Sequence, residues 1–188
     1  MDSLHKLKIA EQLLNDEKYQ EAYAAYLSLA EDGQLDAQIM VGWMKENAQG
    51  VSRDLAGALE WYRKAAERES PVAQFHLGAI LMQTGAHSEA LSWYEKAAVI
   101  EYMPAVYRLA WAYESGTGTP TDKDHALDLF KQNARRGHLP SKMVLAKKML
   151  RGTQGSLMRP CGIYQVLKTY LLTILIAWRD IRDDRVRI

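Results

Sequence analysis

The sequence has one cysteine, Cys161, among 188 residues. A lone thiol excludes an intramolecular disulfide framework and a thiolate zinc cluster, and a reducing compartment is the simpler interpretation. Twelve glycines and five prolines are too few for a low-complexity chain. The five histidines follow no metal-ligand spacing, and no phosphate-binding loop or nucleophile motif is present. These absences predict a protein that is not an enzyme and that uses no catalytic residue, metal or cofactor.

The amino-terminal residues lack the apolar stretch of a secretory signal. Glu11 and Asp16 also argue against a transit peptide, which is poor in acidic residues. We therefore expect a cytoplasmic protein.

Acidic residues are missing from 129–179, which carries ten Lys and Arg. Residues 1–128 carry 11 Lys and Arg against 20 Asp and Glu, so the net charge of +1 hides an acidic body and a basic end. Such an imbalance bears on partners rather than on fold. Nucleic acid is one target of a basic stretch, but no motif supports it.

An internal repeat is the dominant pattern in the chain. Four copies follow one another at spacings of 36, 32 and 36 residues. Each copy has an alanine, an aromatic residue at offset 4 from it, and small residues at offsets 8, 15 and 20. The alanines are Ala22, Ala58, Ala90 and Ala126, and the aromatic residues are Tyr26, Tyr62, Tyr94 and Phe130.

The offsets have a direct helical meaning. Offsets 0, 4 and 8 share one face of a helix, here the A helix, and offsets 15, 19 and 23 share one face of a second, the B helix. Each copy is thus a helical hairpin with an apolar face that only a stacked neighbour can bury. The pattern predicts an all-α fold, a right-handed α-solenoid of stacked antiparallel helix pairs. Asp54 and Asp122 stand four residues before an alanine and are expected to cap A helices.

The repeat also predicts the domain organisation. Leu4–Leu14 matches a B helix, and Gly162 stands 36 residues after Ala126, where an A helix is due. We expect residues 1–160 to form the solenoid, as half a repeat and four helix pairs. Residues 161–188 would then form a closing apolar helix and a charged tail.

Two stretches resemble a known family. Residues 58–66 and 90–98 are similar to the Ala-x-x-Trp-Tyr-x-x-Ala-Ala signature of Sel-one-like repeats, a branch of the tetratricopeptide-like solenoids. Residues 73–78 resemble its second signature, Ala-x-x-x-Leu-Gly. The inter-helix glycine of the family is replaced by Glu69 and Glu101 in the second and third copies. The resemblance implies a protein that binds one or more other proteins as a scaffold or adaptor.

The outward face of the A helices is the expected binding surface. Offsets 2, 5, 6 and 9 point away from the buried face, and in tetratricopeptide-like superhelices the A helices line the concave surface. We predict a charged groove that becomes more basic along the chain, the alternative being a plain solvated face. Its basic residues are Arg63, Lys64, Lys96, Lys131 and Arg135.

Tryptophans at two positions leave a further choice. Trp61 and Trp93 occupy the tryptophan position of the family signature and are expected in the core. Trp43 and Trp111 share offset 21, and packing against the next A helix is favoured there over a role as exposed partner anchors.

The apolar stretch 163–178 has three interpretations. It caps the solenoid, it lies on a membrane or docks a membrane protein, or it spans a membrane. Sixteen residues reach only about 24 Å as a helix, short of the roughly 30 Å hydrocarbon core, so capping is favoured. The second interpretation describes a membrane-associated accessory subunit at the inner face of a membrane. The residues that would make membrane or partner contact are Lys147, Lys148, Arg151, Tyr170, Leu171 and Trp178.

Overall fold

The computed structural model describes residues 3–150 and Lys168. Cys161, Arg151, Tyr170, Leu171, Trp178 and the expected closing helix lie outside the described residues, as does the boundary at residue 160. Within 3–150 the regular elements are nine helices. They are α1 (Ser3–Asn15), α2 (Tyr19–Glu31), α3 (Leu35–Asn47), α4 (Leu55–Ala66), α5 (Pro71–Gln83), α6 (His87–Val99), α7 (Met103–Ser115), α8 (Lys123–Arg135) and α9 (Leu139–Leu150).

The helices follow the predicted repeat. The even-numbered helices α2, α4, α6 and α8 are the A helices, and α3, α5, α7 and α9 are the B helices. This confirms the all-α helical-repeat solenoid. The chain divides into two compact units, residues up to Ala105 and residues from Val106 onward, and each is described separately below.

In the first unit, each helix from α1 to α6 packs against the next. The motif alanines Ala22, Ala58 and Ala90 are fully buried. Beside them, Tyr26, Tyr62 and Tyr94 are among the largest fully buried side chains. Because each tyrosine lies one helical turn after its alanine, a single face of each A helix supplies the core.

A close approach of glycine and tyrosine joins consecutive hairpins. The ring of Tyr62 on α4 covers Gly42 on α3, and the ring of Tyr94 on α6 covers Gly78 on α5. A Cβ atom at Gly78 would lie 2.7 Å from Cε1 of Tyr94. The small residue at offset 20 therefore makes room for the aromatic residue of the following repeat.

Aspartate caps fix where two A helices begin. Oδ1 of Asp54 accepts a hydrogen bond from the Gly57 amide at 2.8 Å, and Oδ1 of Asp122 accepts one from the His125 amide at 2.9 Å. Both caps confirm the sequence prediction. Asp54 also pairs with Nζ of Lys45 at 2.9 Å. The hydrogen bond from the Gly57 amide, followed by that from Lys45, lowers the pKa of Asp54.

The A-to-B turn needs a left-handed backbone in every repeat. Gly33 and Gly137 adopt φ angles of 83° and 99°, and Glu69 and Glu101 adopt 64° and 59° at the equivalent positions. The missing family glycine thus leaves the turn geometry unchanged. The two glutamates carry the steric strain of a residue with a Cβ atom in this region.

The second unit is built on the same plan. α8 packs against α9, and Ala126 and Phe130 are fully buried. Phe130 makes T-shaped contacts with Tyr107 and Trp111 of α7, with ring centroids 5.8 and 5.5 Å away. Trp111 packs on the next A helix as predicted, yet 41% of it remains exposed. In the first unit, the half-buried Trp43 packs against the cores of two neighbouring repeats.

Candidate interaction surface

The outward face of α4 and α6 is exposed as the periodicity predicts. Glu60, Lys64 and Glu67 are exposed on or just after α4, and Glu95 and Lys96 are exposed on α6. The opposite faces of both helices carry the buried alanines and tyrosines. The charged residues opposite the buried face of each helix are therefore accessible to a partner protein.

Each exposed lysine on this face lies over a tryptophan of its own helix. Nζ of Lys64 is 4.2 Å from the ring centroid of Trp61, and Nζ of Lys96 is 3.8 Å from that of Trp93. Trp93 is buried and Trp61 is half-buried, so both indoles are held by the core beneath them. A cation over an indole face is attracted by the ring quadrupole, which orders the lysine head group at the surface.

An ion pair connects the two A helices across this face. Nη2 of Arg63 on α4 lies 2.9 Å from Oε1 of Glu89 in the first turn of α6. Both side chains are partly exposed, at 39% and 44%, so the pair adds little stability. Arg63 therefore has an intramolecular partner, whereas Lys64 and Lys96 have no carboxylate partner among the described residues.

The predicted basic residues of α8 belong to the second unit. Nζ of Lys131 pairs with Oδ1 of Asp128 on the same helix at 3.1 Å. Arg135 is exposed in the last turn of α8, one turn beyond Lys131. The two residues share one face of α8.

The two described residues of the predicted membrane set differ in availability. Lys147 is exposed on α9. Nζ of Lys148 lies 2.6 Å from Oε1 of Glu114 on α7, with both side chains largely buried. Lys148 therefore neutralises a carboxylate within the second unit, which sequence reasoning missed because the two residues are 34 positions apart.

A second cluster that the sequence did not reveal surrounds Glu46. Its Oε2 accepts a hydrogen bond from the hydroxyl of Tyr62 at 3.0 Å and lies 3.7 Å from Nδ1 of His76. The His76 ring stacks on the Tyr62 ring with centroids 4.9 Å apart. Burial, with the charge of Glu46 second, raises the pKa of Tyr62, and burial lowers the pKa of His76 against the opposing effect of Glu46.

The Lys–Trp pairs, by contrast, could be predicted from the sequence. Tryptophan at offset 3 and lysine at offset 6 recur in the second and third copies, and this i, i+3 spacing places two side chains side by side on a helix. Taken separately, the two positions predict a core tryptophan and an exposed lysine, and only their spacing predicts the stacked pair.

Residues 3–150 and Lys168 contain neither a metal-binding cluster nor a membrane-spanning helix. Among these residues, no three His, Cys, Asp or Glu side chains are grouped so that they could hold a metal ion. No helix between Ser3 and Leu150 combines the length and the apolar character needed to cross a bilayer.

Two curated proteins share part of their length with this chain. The uncharacterized protein NMB1327 of Neisseria meningitidis is 34% identical over 128 residues, which are 66% of this chain and 26% of that protein. The chitin synthase regulator SKT5 of Saccharomyces cerevisiae is 25% identical over 140 residues, which are 68% of this chain and 20% of that protein. This chain thus spans between 20% and 26% of the length of these relatives.

Two solved structures share the fold. A Sel1 repeat protein from Oxalobacter formigenes is 27% identical with a TM-score of 0.68, covering 80% of this chain and 64% of that chain. The protective antigen c5321 of uropathogenic Escherichia coli, which displays an SLR fold, is 21% identical with a TM-score of 0.76, covering 90% of this chain and 37% of its own. The family model for the Sel1 repeat matches residues 35–70, 71–98 and 104–138, more than half of the sequence, and this protein therefore belongs to the Sel1-repeat family.

Proposed function

We propose that this protein is a non-enzymatic scaffold that binds an acidic segment of a partner protein on the outward face of α4 and α6. The Sel1-repeat fold generally mediates protein–protein interaction. The predicted cytoplasmic location stays a prediction.

The observation that carries the proposal is the repetition of the Lys–Trp pair. Two lysines occupy the same column in consecutive repeats, each held over an indole ring and each without a carboxylate partner in the described residues. The ion pair between Arg63 and Glu89 connects the two helices that carry them. A partner that supplies two carboxylates would gain two ion pairs at positions that are already ordered, which lowers the entropic cost of binding.

Lys131 and Arg135 lie on one face of α8 in the second unit. We include them in the proposal as an additional contact for the same class of acidic partner. Arg63 and Lys131 are less favourable contacts, since a partner carboxylate would have to compete with Glu89 and Asp128.

The test reverses the charge of the two ordered lysines. The double variant Lys64→Glu and Lys96→Glu should no longer capture from cell extract the proteins that the wild-type chain captures. A captured protein, once purified, should bind the variant at least about tenfold more weakly by calorimetry, which corresponds to about 1.4 kcal/mol. The matched control is Lys6→Glu with Lys8→Glu, which makes the same charge change at two exposed positions of α1.

Salt supplies a second readout. Binding through exposed ion pairs should weaken as ionic strength rises, because the Debye length shrinks from about 10 Å at 0.1 M to about 3 Å at 1 M. Equal binding by the wild-type chain, the double variant and the control would reject this surface.

A further inference from the structure

The last described B helix, α9, exposes the face that earlier B helices bury. At offset 19, Val41 and Leu77 are fully buried, whereas Leu145 is only half-buried. At offset 20, Ala110 is fully buried and Ala146 is half-buried. Two methionines of α9 add to this exposed surface, Met143 at 41% and Met149 at 57%.

In earlier repeats the same face is covered by the next A helix. Gly42 and Gly78 lie under the rings of Tyr62 and Tyr94, and Ala110 packs in one cluster with Phe130. Ala146 is the small residue at offset 20 in the fourth repeat. The geometry at the end of α9 therefore suits a further helix that brings an apolar face.

The chain itself carries a segment that suits this position. Gly162 follows Ala126 by 36 residues, the same interval as from Ala22 to Ala58. Each A helix begins three residues before its motif alanine, as α4 begins at Leu55, three residues before Ala58. With the same register after α9, the connection would be 151–158, one residue longer than the connection 48–54 between α3 and α4.

The composition of the segment agrees with one buried face and one exposed stripe. Residues 163–178 read IYQVLKTYLLTILIAW, in which Gln165, Lys168, Thr169 and Thr173 form a narrow polar stripe. Lys168, the one described residue of this segment, is helical and exposed. We propose that residues 162–178 bind the exposed face of α9 in the same chain, in the position that the next A helix takes in each earlier repeat.

The first experiment measures amide hydrogen exchange on the full-length chain. If the segment is docked, its amides are protected, and Ala146→Arg, which places a long charged side chain on the α9 face, should reduce their protection about tenfold or more. The matched control is Gln132→Arg, which adds the same residue at an exposed position of α8. Amides of α8 report in each variant whether the second unit remains folded.

Three results of that experiment would overturn the proposal. The first is fast exchange of residues 163–178 in the wild-type chain, and the second is protection that Ala146→Arg leaves unchanged while α8 stays protected. The third is protection that appears only with vesicles of anionic phospholipid, or only at concentrations where sedimentation shows a dimer. That result would assign the face to a membrane or to a second copy of this chain.

A second experiment avoids any change to the α9 core. Met149→Cys, in a Cys161→Ser background, places one thiol on the exposed α9 face. Val166→Asp with Tyr170→Asp, at offsets 4 and 8 from Gly162, should raise its labelling rate by maleimide about tenfold, because the docked segment would be displaced. An unchanged labelling rate would contradict docking even if Ala146→Arg fails to fold.

Discussion

Gly42 lies directly beneath the ring of Tyr62, one repeat further along the chain. A Cβ atom at Gly42 would be 2.9 Å from Cε1 of that ring, closer than real Cβ contacts allow. Under Tyr62 and Tyr94 this contact excludes even a methyl group, whereas Ala110 at the same offset packs in one cluster with Phe130. This contact explains why the repeat keeps a small residue at offset 20.

Gly42→Ala should therefore destabilise the first unit. Overpacking of this kind costs about 1–3 kcal/mol, and the better helix propensity of alanine offsets about 1 kcal/mol of it. Tyr62→Leu in the same chain should relieve the clash, so that the double variant is more stable than the two single changes predict together. Urea unfolding of the four proteins gives the coupling energy. Additivity within about 0.5 kcal/mol would show that the two residues do not interact as described.

Ile100→Arg should stabilise the first unit. One repeat earlier, Nη1 of Arg68 donates to the Gly33 carbonyl at 2.7 Å and lies 3.4 Å from Oε1 of Gln38. Ile100 occupies the position equivalent to Arg68, and Oε1 of the buried Gln74, equivalent to Gln38, has no hydrogen-bond partner among the described residues.

An arginine at position 100 would supply that donor, and we expect a gain of about 1 kcal/mol in the free energy of unfolding. Ile100→Glu is the control, since it removes the same exposed apolar side chain without adding a donor. A gain of the same size in both variants would mean that the exposed isoleucine, rather than the orphaned oxygen, is responsible.

Glu69→Gly should also stabilise the protein. The Glu69 backbone has a φ of 64°, a region that costs a residue with a Cβ atom about 1 kcal/mol and that glycine adopts freely. The reciprocal change Gly33→Ala, at a φ of 83° with open space around the new methyl group, should destabilise by a similar amount. Thermal unfolding of both variants tests the pair, and a shift of the same sign in both would contradict the strain argument.

Stability of the first unit should decrease as the pH falls below about 6.5. Burial lowers the pKa of His76 below its usual value, so the unfolded chain binds a proton at this residue more readily than the folded one. The contribution is complete above the unfolded pKa and is lost as the pH falls towards the folded pKa. Urea midpoints at pH 7.5 and 5.5 should differ less in His76→Gln than in the wild type.

Glu46→Gln sharpens this pH test. The charge of Glu46 favours protonated His76, so its removal should lower the histidine pKa further and steepen the loss of stability, while glutamine still accepts from Tyr62. His5→Gln, at an exposed position of α1, serves as the control. The same pH dependence in wild type and His76→Gln would place the effect on other groups.

The periodicity of the sequence determined the fold. Offsets of four and eight residues identify a helix face regardless of which repeat they occur in, so Ala58, Tyr62 and Ala66 revealed a buried stripe before any contact was known. Asp54 and Asp122 indicated two helix starts for the same reason, because an N-cap side chain bonds an amide three residues later.

Contacts between distant positions needed the tertiary structure. The pairing of Lys148 with Glu114 and the cluster around Glu46 join side chains from different helices. The unpaired oxygen of Gln74 likewise becomes evident only when the neighbouring helices are in place. The offset of a residue in the repeat identifies the helix face on which it lies. It does not identify the side chain opposite, because the neighbouring repeat can carry a different residue there. Ile100 is an example. Its offset predicts an exposed residue at the end of an A helix, and only the packing of the neighbouring repeat shows that Gln74 lacks a donor at this position.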